Sequence, residues 1–178
     1  SFNPAWLELD FIGPIFVQYD HVGSGGFSLR SVRLLQAMKL PNFVKRHPED
    51  YCICVDNKEF LTQRCGIRIA PTGVAEQFSV ERSPWHPAFG FHGFFNFGRV
   101  LSDQDLTYFL SILPSSYLAG LDVYDLIDEL IARNKIDLAK KLIERLHFRW
   151  KMRKRYIRAK LIWRICLFLE YYLRNRRL

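Results

Sequence analysis

The pattern of apolar and polar positions along the chain changes near residue 102. Before it, short apolar runs alternate with segments that contain glycine or proline, which is typical of short strands alternating with helices. After it, apolar residues recur every three or four positions over long stretches, which predicts amphipathic helices. We therefore expect an α/β domain over residues 1–101 and a helical extension over residues 102–178.

The first half of the α/β part predicts a strand, a glycine-rich turn and a helix. The apolar run DFIGPIFV, residues 10–17, is typical of a strand. After the glycines of HVGSGGFSLRSVRLL, Ser28 is expected to cap a helix that stops before Pro41. The apolar positions expected to share one face of this helix are Leu29, Val32, Leu35 and Met38.

The second half of the α/β part predicts a helix followed by two strands. The segment HPEDYCICVDNKEFLTQRCG, residues 47–66, reads as a loop with PED and then a helix that ends at Gly66. The runs IRIAPTGVAEQFSVE, residues 67–81, and FGFHGFFNF, residues 89–97, are rich in strand-forming residues. They are expected to complete the α/β layers.

The C-terminal part predicts at least four helices. Ser102 with Asp105 three positions later marks a helix start, and Pro114 marks its end. Residues 121–146 form two amphipathic repeats joined near Asn134, which predicts a helical hairpin. A last helix is expected to place these apolar residues on one face: Ile157, Leu161, Ile162, Ile165, Phe168, Leu169 and Tyr172.

The net charge of +8 is concentrated in this last helix. From Arg145 onward the chain has twelve basic residues and one acidic residue, whereas residues 1–144 carry about −3. Three interpretations remain open: a helix packed on its own domain, a helix on an anionic membrane surface, and a nucleic-acid-binding helix. Aromatic residues that include Trp150, Trp163, Tyr171 and Tyr172 accompany the charges, and no nucleic-acid motif is present.

Composition and cysteine spacing predict the compartment. Apolar residues make up 49% of the chain, which excludes a disordered protein, and LIWRICLFLEYYL is too short and too charged to span a membrane. The start SFNPAWLELDF lacks the basic segment of a secretory signal. The four cysteines show no CxxC pair, so we expect reduced thiols in a cytoplasmic protein. If the last helix lies on an anionic membrane surface, the protein is peripheral to that membrane.

Three short motifs of the α/β part carry candidate chemistry. Glycines in GSGGFSLRS allow close approach of the backbone to a ligand, the carboxylates of PED can supply a base, and the histidine of FGFHG can donate a hydrogen bond or bind a metal. Each motif also has a structural explanation: a turn, a helix start, and a hydrogen-bonded core histidine. The sequence alone leaves both explanations open for each motif.

Taken together and in this order, the stretches LDFIGPIF, VGSGGFSLRS, PED, EQFSVE and FGFHGFFNF resemble a bacterial-type domain of uncharacterised function associated with glycosyltransferases. Its pattern is close to DYIG, VGNGGFSLRS, PED, FS and FGFHG, and the resemblance covers roughly residues 9–97. That domain in turn looks like the acceptor-side half of a GT-A glycosyltransferase, with a partial Rossmann-type mixed sheet. The resemblance implies transfer of a sugar from a nucleotide-sugar donor to a glycan or other hydroxyl acceptor, in polysaccharide or cell-envelope synthesis.

The resemblance also implies roles for single residues. Asp50 corresponds to the catalytic base, and His92 corresponds to a ligand of a divalent metal, Mn or Mg, on the donor diphosphate. The implied substrate-binding residues are Gly25, Gly26, Phe27, Ser28 and Glu49, of which Glu49 holds the acceptor. Ser24 stands where the pattern has asparagine, so the resemblance assigns no side-chain contact there.

A GT-A enzyme also needs an Asp-x-Asp that binds the metal on the donor side. The matching tripeptide here, residues 103–105, lies at a predicted helix start, where capping explains it better. We therefore expect the acceptor-side half of an enzyme, with the donor-side half missing or supplied elsewhere. The alternative is a non-catalytic module that binds glycan or a partner, with a basic tail for anionic membrane or nucleic acid.

Overall fold

The computed structural model describes residues 1–19 and 21–175, without the side chains of residues 167 and 169–175. The chain is a mixed α/β protein with a long C-terminal helix. It divides into two compact units: an N-terminal unit, Ser1–His92, and a helical unit that begins at Gly93. This boundary precedes the one expected at residue 101, because Phe94, Phe95 and Phe97 pack against the core of the helical unit.

The N-terminal unit is built from short elements. Its described strands are β1 (Phe11–Ile12), β2 (Ile15–Phe16), β3 (His21–Val22), β4 (Leu29–Arg30), β5 (Ser79–Val80) and β6 (Gly90–Phe91). Its helices are α1 (Val32–Ala37), α2 (Glu49–Tyr51) and α3 (Thr72–Phe78), with a 3₁₀ turn at Pro4–Glu8 and π-helical segments at Cys52–Asp56 and Phe60–Arg64. Strands β1 and β4 pair antiparallel, as do β2 and β3, whereas β5 and β6 pair parallel.

The buried carboxylate of Asp10 connects several segments of this unit through hydrogen bonds. Asp10 precedes β1, and its side chain accepts hydrogen bonds from Ser31 Oγ at 2.6 Å, Arg33 at 2.7 Å and the Arg68 amide at 2.8 Å. Burial by itself would raise the pKa of this carboxyl, but the hydrogen bonds outweigh it and hold the pKa below its usual value. Around it packs one apolar core that includes Phe11, Leu34, Ile53 and Leu61.

The helix after the glycine-rich turn begins later than expected. Leu29 and Arg30 form β4, with Arg30 opposite Phe11 in β1, so the cap is Ser31, whose Oγ accepts from the Leu34 amide at 3.0 Å. The prediction of a helix capped by Ser28 was wrong because pairing with a distant strand overrode local helical spacing. The buried face is also different: Leu34 is buried, whereas Val32 and Leu35 are exposed.

The two predicted strands after Gly66 were only partly right. In residues 67–81, α3 occupies the middle, with Pro71 at its N-cap position and Ala75 and Phe78 on its buried side. In residues 89–97 only β6 is a strand, and the chain then enters a 3₁₀ turn at Phe94–Asn96. The helix predicted before them is confirmed, and Gly66 ends it with φ of +63°.

The helical unit follows its predicted pattern. Its helices are α4 (Phe97–Val100), α5 (Asp103–Ile112), α6 (Leu121–Ala132), α7 (Ile136–Glu144) and α8 (Arg153–Asn175), with 3₁₀ turns at Phe94–Asn96, Ser115–Tyr117 and Trp150–Met152. Ser102 caps α5 by accepting from the Asp105 amide at 3.1 Å. Asn134, with φ of 57°, joins α6 to α7 and confirms the hairpin.

The last helix packs through a face that differs from the predicted one. Tyr156, Ala159 and Trp163 contact the core of the helical unit, whereas the predicted stripe at Ile157 and Leu161 is exposed. The side chains of Leu169 and Tyr172, also assigned to that stripe, lie outside the described residues. Among the helices of the described segments, 1–19 and 21–175, none has the length and apolar character needed to cross a membrane.

The four cysteines are unpaired thiols. Cys52 and Cys54 are buried, and the Cys52 thiol donates to the Val44 carbonyl at 3.0 Å. Burial raises the pKa of the Cys54 thiol to about 12. Cys54 therefore acts as a packing group of the N-terminal unit.

Candidate functional site

The glycine-rich turn, residues 23–28 between β3 and β4, passes very close to charged side chains. A Cβ added at Gly25 would overlap the Arg30 guanidinium and lie 3.0 Å from Cβ of Asp50. A Cβ at Gly26 would overlap the imidazole of His92. Neither glycine has a positive φ, so close approach, and not backbone conformation, requires glycine here.

The PED motif faces this turn from a helix start. Pro48 is the N-cap of α2, and Glu49 and Asp50 lie in its first turn, where the helix dipole favours negative charge. The Gly25 amide donates to Oδ2 of Asp50 at 3.3 Å, and the Tyr51 amide donates to Oδ1 at 2.8 Å. PED is therefore both a helix start and a pair of carboxylates beside the glycines.

Arg30 connects the glycine-rich turn to Glu49. The sequence motifs did not predict this role for Arg30. Its guanidinium donates to Oε1 of Glu49 at 2.5 Å and to Oγ of Ser28 at 3.1 Å, and it lies 3.5 Å from the Gly25 carbonyl. The hydrogen bond from Arg30 is the main cause that lowers the pKa of Glu49 below its usual value. Glu49 remains 53% exposed, so this ionised carboxylate faces solvent.

A second carboxylate, Glu81, holds the other side of the turn. It follows β5, and its carboxylate accepts a short hydrogen bond from Ser24 Oγ and lies 3.1 Å from Nδ1 of His92. Burial would raise the pKa of Glu81, but hydrogen bonds with His92 and Ser24 outweigh it and lower the pKa. Because one ring nitrogen of His92 faces Glu81, the orientation of the imidazole is fixed.

The predicted site residues fall into two groups. Gly25, Gly26, Glu49, Asp50 and His92 meet around the glycine turn. Phe27 and Ser28 belong to the same turn, but their side chains contact the protein itself. The Phe27 ring lies 5.4 Å from that of Phe78, and Ser28 Oγ donates to the Gly25 carbonyl at 2.9 Å. Their substrate contacts stay a prediction.

The side chains around His92 do not form a complete set of metal ligands. Within residues 1–19 and 21–175, no group of three or more His, Cys, Asp or Glu side chains is placed to hold a metal ion. His92 and Glu81 together supply only two side chains of the kinds that bind metal ions. The Asp-x-Asp tripeptide lies in the first turn of α5, directly after the Ser102 cap, with Asp103 2.9 Å from Lys135 Nζ.

The cluster lies at the surface, where the side chain of His92 is 42% exposed. A concavity of about 520 Å³ in the same unit is lined by residues that include Asn42, Asp56 and Arg64, and none of the site residues lines it. The arrangement is an open polar surface in which a carboxylate and an imidazole flank a glycine turn, and such a surface can bind hydroxyl-bearing molecules.

Comparison with known proteins places the site in a family. Residues 3–92 match the protein family described as "Protein of unknown function (DUF5672)". The match spans half of the chain and corresponds to the N-terminal unit. No curated protein and no solved structure matches the sequence.

Proposed function

The chain belongs to the DUF5672 family of proteins of unknown function, and we propose that its N-terminal unit is the acceptor-side half of a glycosyltransferase. The reaction moves a sugar from a nucleotide-sugar donor to a hydroxyl acceptor, in polysaccharide or cell-envelope synthesis. One observation carries the proposal: the turn at Gly25 and Gly26 brings Asp50 and His92 together, with the Gly25 amide donating to Asp50 and the His92 ring against Gly26.

Asp50 is the proposed general base. Its carboxylate is partly exposed at a helix start, and each oxygen accepts one backbone hydrogen bond, which leaves lone pairs for a substrate hydroxyl. It takes the acceptor proton as the acceptor oxygen forms a bond to the anomeric carbon. The bond from that carbon to the nucleotide diphosphate breaks, and the diphosphate leaves with the electron pair.

Glu49 and His92 are the proposed binding groups. The ion pair with Arg30 keeps Glu49 ionised and fixes one of its oxygens, so the other can accept from a second acceptor hydroxyl. His92, whose Nδ1 lies 3.1 Å from Glu81, places its ring against Gly26. The divalent metal stays a prediction, and titration of nucleotide sugars with and without Mn²⁺ tests it.

The proposal includes a GT-A-like fold for the N-terminal unit and a cytoplasmic location for the protein. The unit combines antiparallel pairs with the parallel pair β5–β6 and a parallel bridge between Phe11 and Ile69, a mixture of directions that supports a GT-A-like mixed sheet. Unpaired thiols are the state that a reducing compartment maintains, which supports a cytoplasmic location.

The decisive experiment replaces Asp50 with Asn. With a panel of nucleotide sugars and hydroxyl acceptors, we expect Asp50→Asn to keep the fold and acceptor binding but to lose about 10²-fold or more in kcat, since general-base catalysis supplies about that factor. Asp137→Asn is the matched control, because Asp137 is an exposed aspartate in the first turn of α7. Transfer by Asp50→Asn at the wild-type rate would show that the base assignment is wrong.

A second function is favoured by the internal pairing of the cluster. Glu49 pairs with Arg30, and Glu81 with His92 and Ser24, so the surface is ordered without any substrate. Such an ordered polar surface suits a module that only binds glycan. Binding of oligosaccharides that Asp50→Asn leaves unchanged, together with no transfer for any donor, would favour this module over the enzyme.

A further inference from the structure

We propose that α8 docks this chain on an anionic membrane surface through an apolar stripe on its outer side. The stripe consists of Ile157, Leu161 and Ile165, which recur every four positions and are 62%, 56% and 50% exposed. Residues four apart lie on one face of a helix, so these side chains form a continuous strip about 12 Å long. This surface belongs to the helical unit and is independent of the chemistry proposed above.

The opposite side of α8 is already occupied. Ala159 is buried in the core of the helical unit, and Tyr156 and Trp163 pack against it. Arg155 donates to Asp125 at 2.6 Å, and Arg158 lies 3.2 Å from a carboxylate oxygen of Asp128. The helix is therefore held in place by this side, and the stripe takes no part in holding it.

The basic residues beside the stripe differ from Arg155 and Arg158, which are paired with aspartates of α6. Arg153 and Lys154 lie four and three positions before Ile157, and Arg164 lies three after Leu161, so all three flank the stripe. Within the described part of the chain, none of the three forms a salt bridge. Residues 153–168 contain no acidic residue. The outer side of α8 is thus apolar at its centre and cationic at its edges.

An aromatic residue accompanies this surface near the helix start. Trp150 is 71% exposed, and the guanidinium of Arg153, which flanks the stripe, lies 4.8 Å from the Trp150 ring centre. Tryptophan is favoured at the boundary between headgroups and acyl chains, because one part of it is apolar and another can donate a hydrogen bond. The surface has the composition of a helix that lies in a membrane interface.

The combination of charged and apolar side chains on the outer side of α8 indicates which kind of molecule binds there. A nucleic acid would pair with the basic residues but would leave the aliphatic side chains of the stripe in contact with water. An anionic bilayer accommodates both, since acyl chains receive the stripe and lipid phosphates and carboxylates meet the basic residues. We therefore assign the surface to anionic lipid.

Co-sedimentation of the full chain with vesicles tests this assignment. We expect binding to phosphatidylcholine vesicles that contain phosphatidylserine, little binding to phosphatidylcholine alone, and weaker binding at high salt. Leu161→Ser should lower the partition constant about tenfold, by loss of a buried leucine side chain. Neutralising Lys154 and Arg164 together as Lys154→Gln and Arg164→Gln should lower it more than tenfold.

Two matched controls keep the test specific. Ile112 is 57% exposed in the same unit, so Ile112→Ser should leave the partition constant unchanged. Lys141→Gln neutralises an exposed lysine of α7 that is remote in sequence from the stripe and should have a small effect. Equal losses for Leu161→Ser and Ile112→Ser, equal binding to neutral and anionic vesicles, or binding to duplex DNA that Leu161→Ser leaves intact while vesicles are not bound, would overturn the proposal.

Discussion

The N-terminal unit and the helical unit differ in what their interiors contain. The buried polar side chains of the described residues are Asp10, Ser24, Asn57 and Ser79 in the N-terminal unit and Asn96 in the helical unit. In the helical unit the interior is one continuous apolar cluster contributed by long helices. Both units have an apolar core, and the N-terminal unit adds to it most of the buried polar side chains, which need specific hydrogen bonds.

The short elements of the N-terminal unit explain this difference. Its described strands are two residues long, so few backbone hydrogen bonds hold each one and side chains must complete the connections. Asn57 shows the consequence: it accepts from the Val44 amide at 2.8 Å and donates to the carbonyls of Val44 and Cys52 at 2.9 Å. Such contacts fix loops in position, which a charged surface cluster requires.

The largest effect is expected from truncating the apolar core of the helical unit. Leu130 is fully buried in α6, so Leu130→Ala should lower the free energy of unfolding by about 3 kcal/mol through lost transfer energy and a residual cavity. Leu121→Ala on the same helix, where the side chain is exposed, should cost less than about 1 kcal/mol. Urea denaturation measures both, and equal losses would contradict the apolar-packing interpretation.

A smaller loss is expected from an isosteric change in the N-terminal unit. Asp10→Asn removes no volume but places an amide among three donors, so it should cost about 2 kcal/mol. Asp128→Asn breaks the exposed pair with Arg158 in the helical unit and should cost about 0.5 kcal/mol or less. Hydrogen exchange read by peptide should place the loss for Asp10→Asn within residues 1–92. Equal stability of the two variants would remove the distinction between the units.

Local pattern predicted the helices of the helical unit because their structure is local, but it did not identify the side of α8 that packs on the core. The hairpin of α6 and α7 follows from apolar residues that recur every three or four positions and from a turn at Asn134. The start of α1 could not be predicted in this way. Leu29 and Arg30 are strand residues only because β1, far back in the chain, pairs with them. Nothing within the segment itself carries that information.

The same reasoning applies to the candidate site. Asp50 and His92 stand in recognisable motifs, and the structure brings both to the glycine turn. Arg30 and Glu81 lie in quoted stretches, but their partners are 19 and 57 positions away. A lone arginine or glutamate beside a strand has no spacing that would predict such a partner. The His92 ring packs so closely against Gly26 that position 26 has to be glycine. This relation becomes visible in the sequence only when the two positions are considered together.

The smallest of the expected effects is a difference between the two units in acid. The pKa values of Asp10, Glu49 and Glu81 are all lowered by hydrogen bonds in the N-terminal unit, in spite of burial that acts in the opposite direction. A carboxyl whose folded-state pKa is lowered stabilises the fold fully above its unfolded-state pKa, which is 3.8 for aspartate and 4.5 for glutamate. That stabilisation is lost as the pH falls through the folded-state pKa. As the pH falls below 4.5, amide resonances of the N-terminal unit should therefore lose dispersion before those of the helical unit.

A variant separates this effect from general acid denaturation. Glu81→Gln removes one of the three carboxyls and keeps the size of the side chain, so the N-terminal unit should start less stable at neutral pH and change less with acid. Glu144→Gln replaces an exposed glutamate of the helical unit and should leave the order of loss unchanged. If resonances of the helical unit disappear first, or if Glu81→Gln loses as much stability with acid as the unmodified chain, the polar contacts of the N-terminal unit do not set its response to pH.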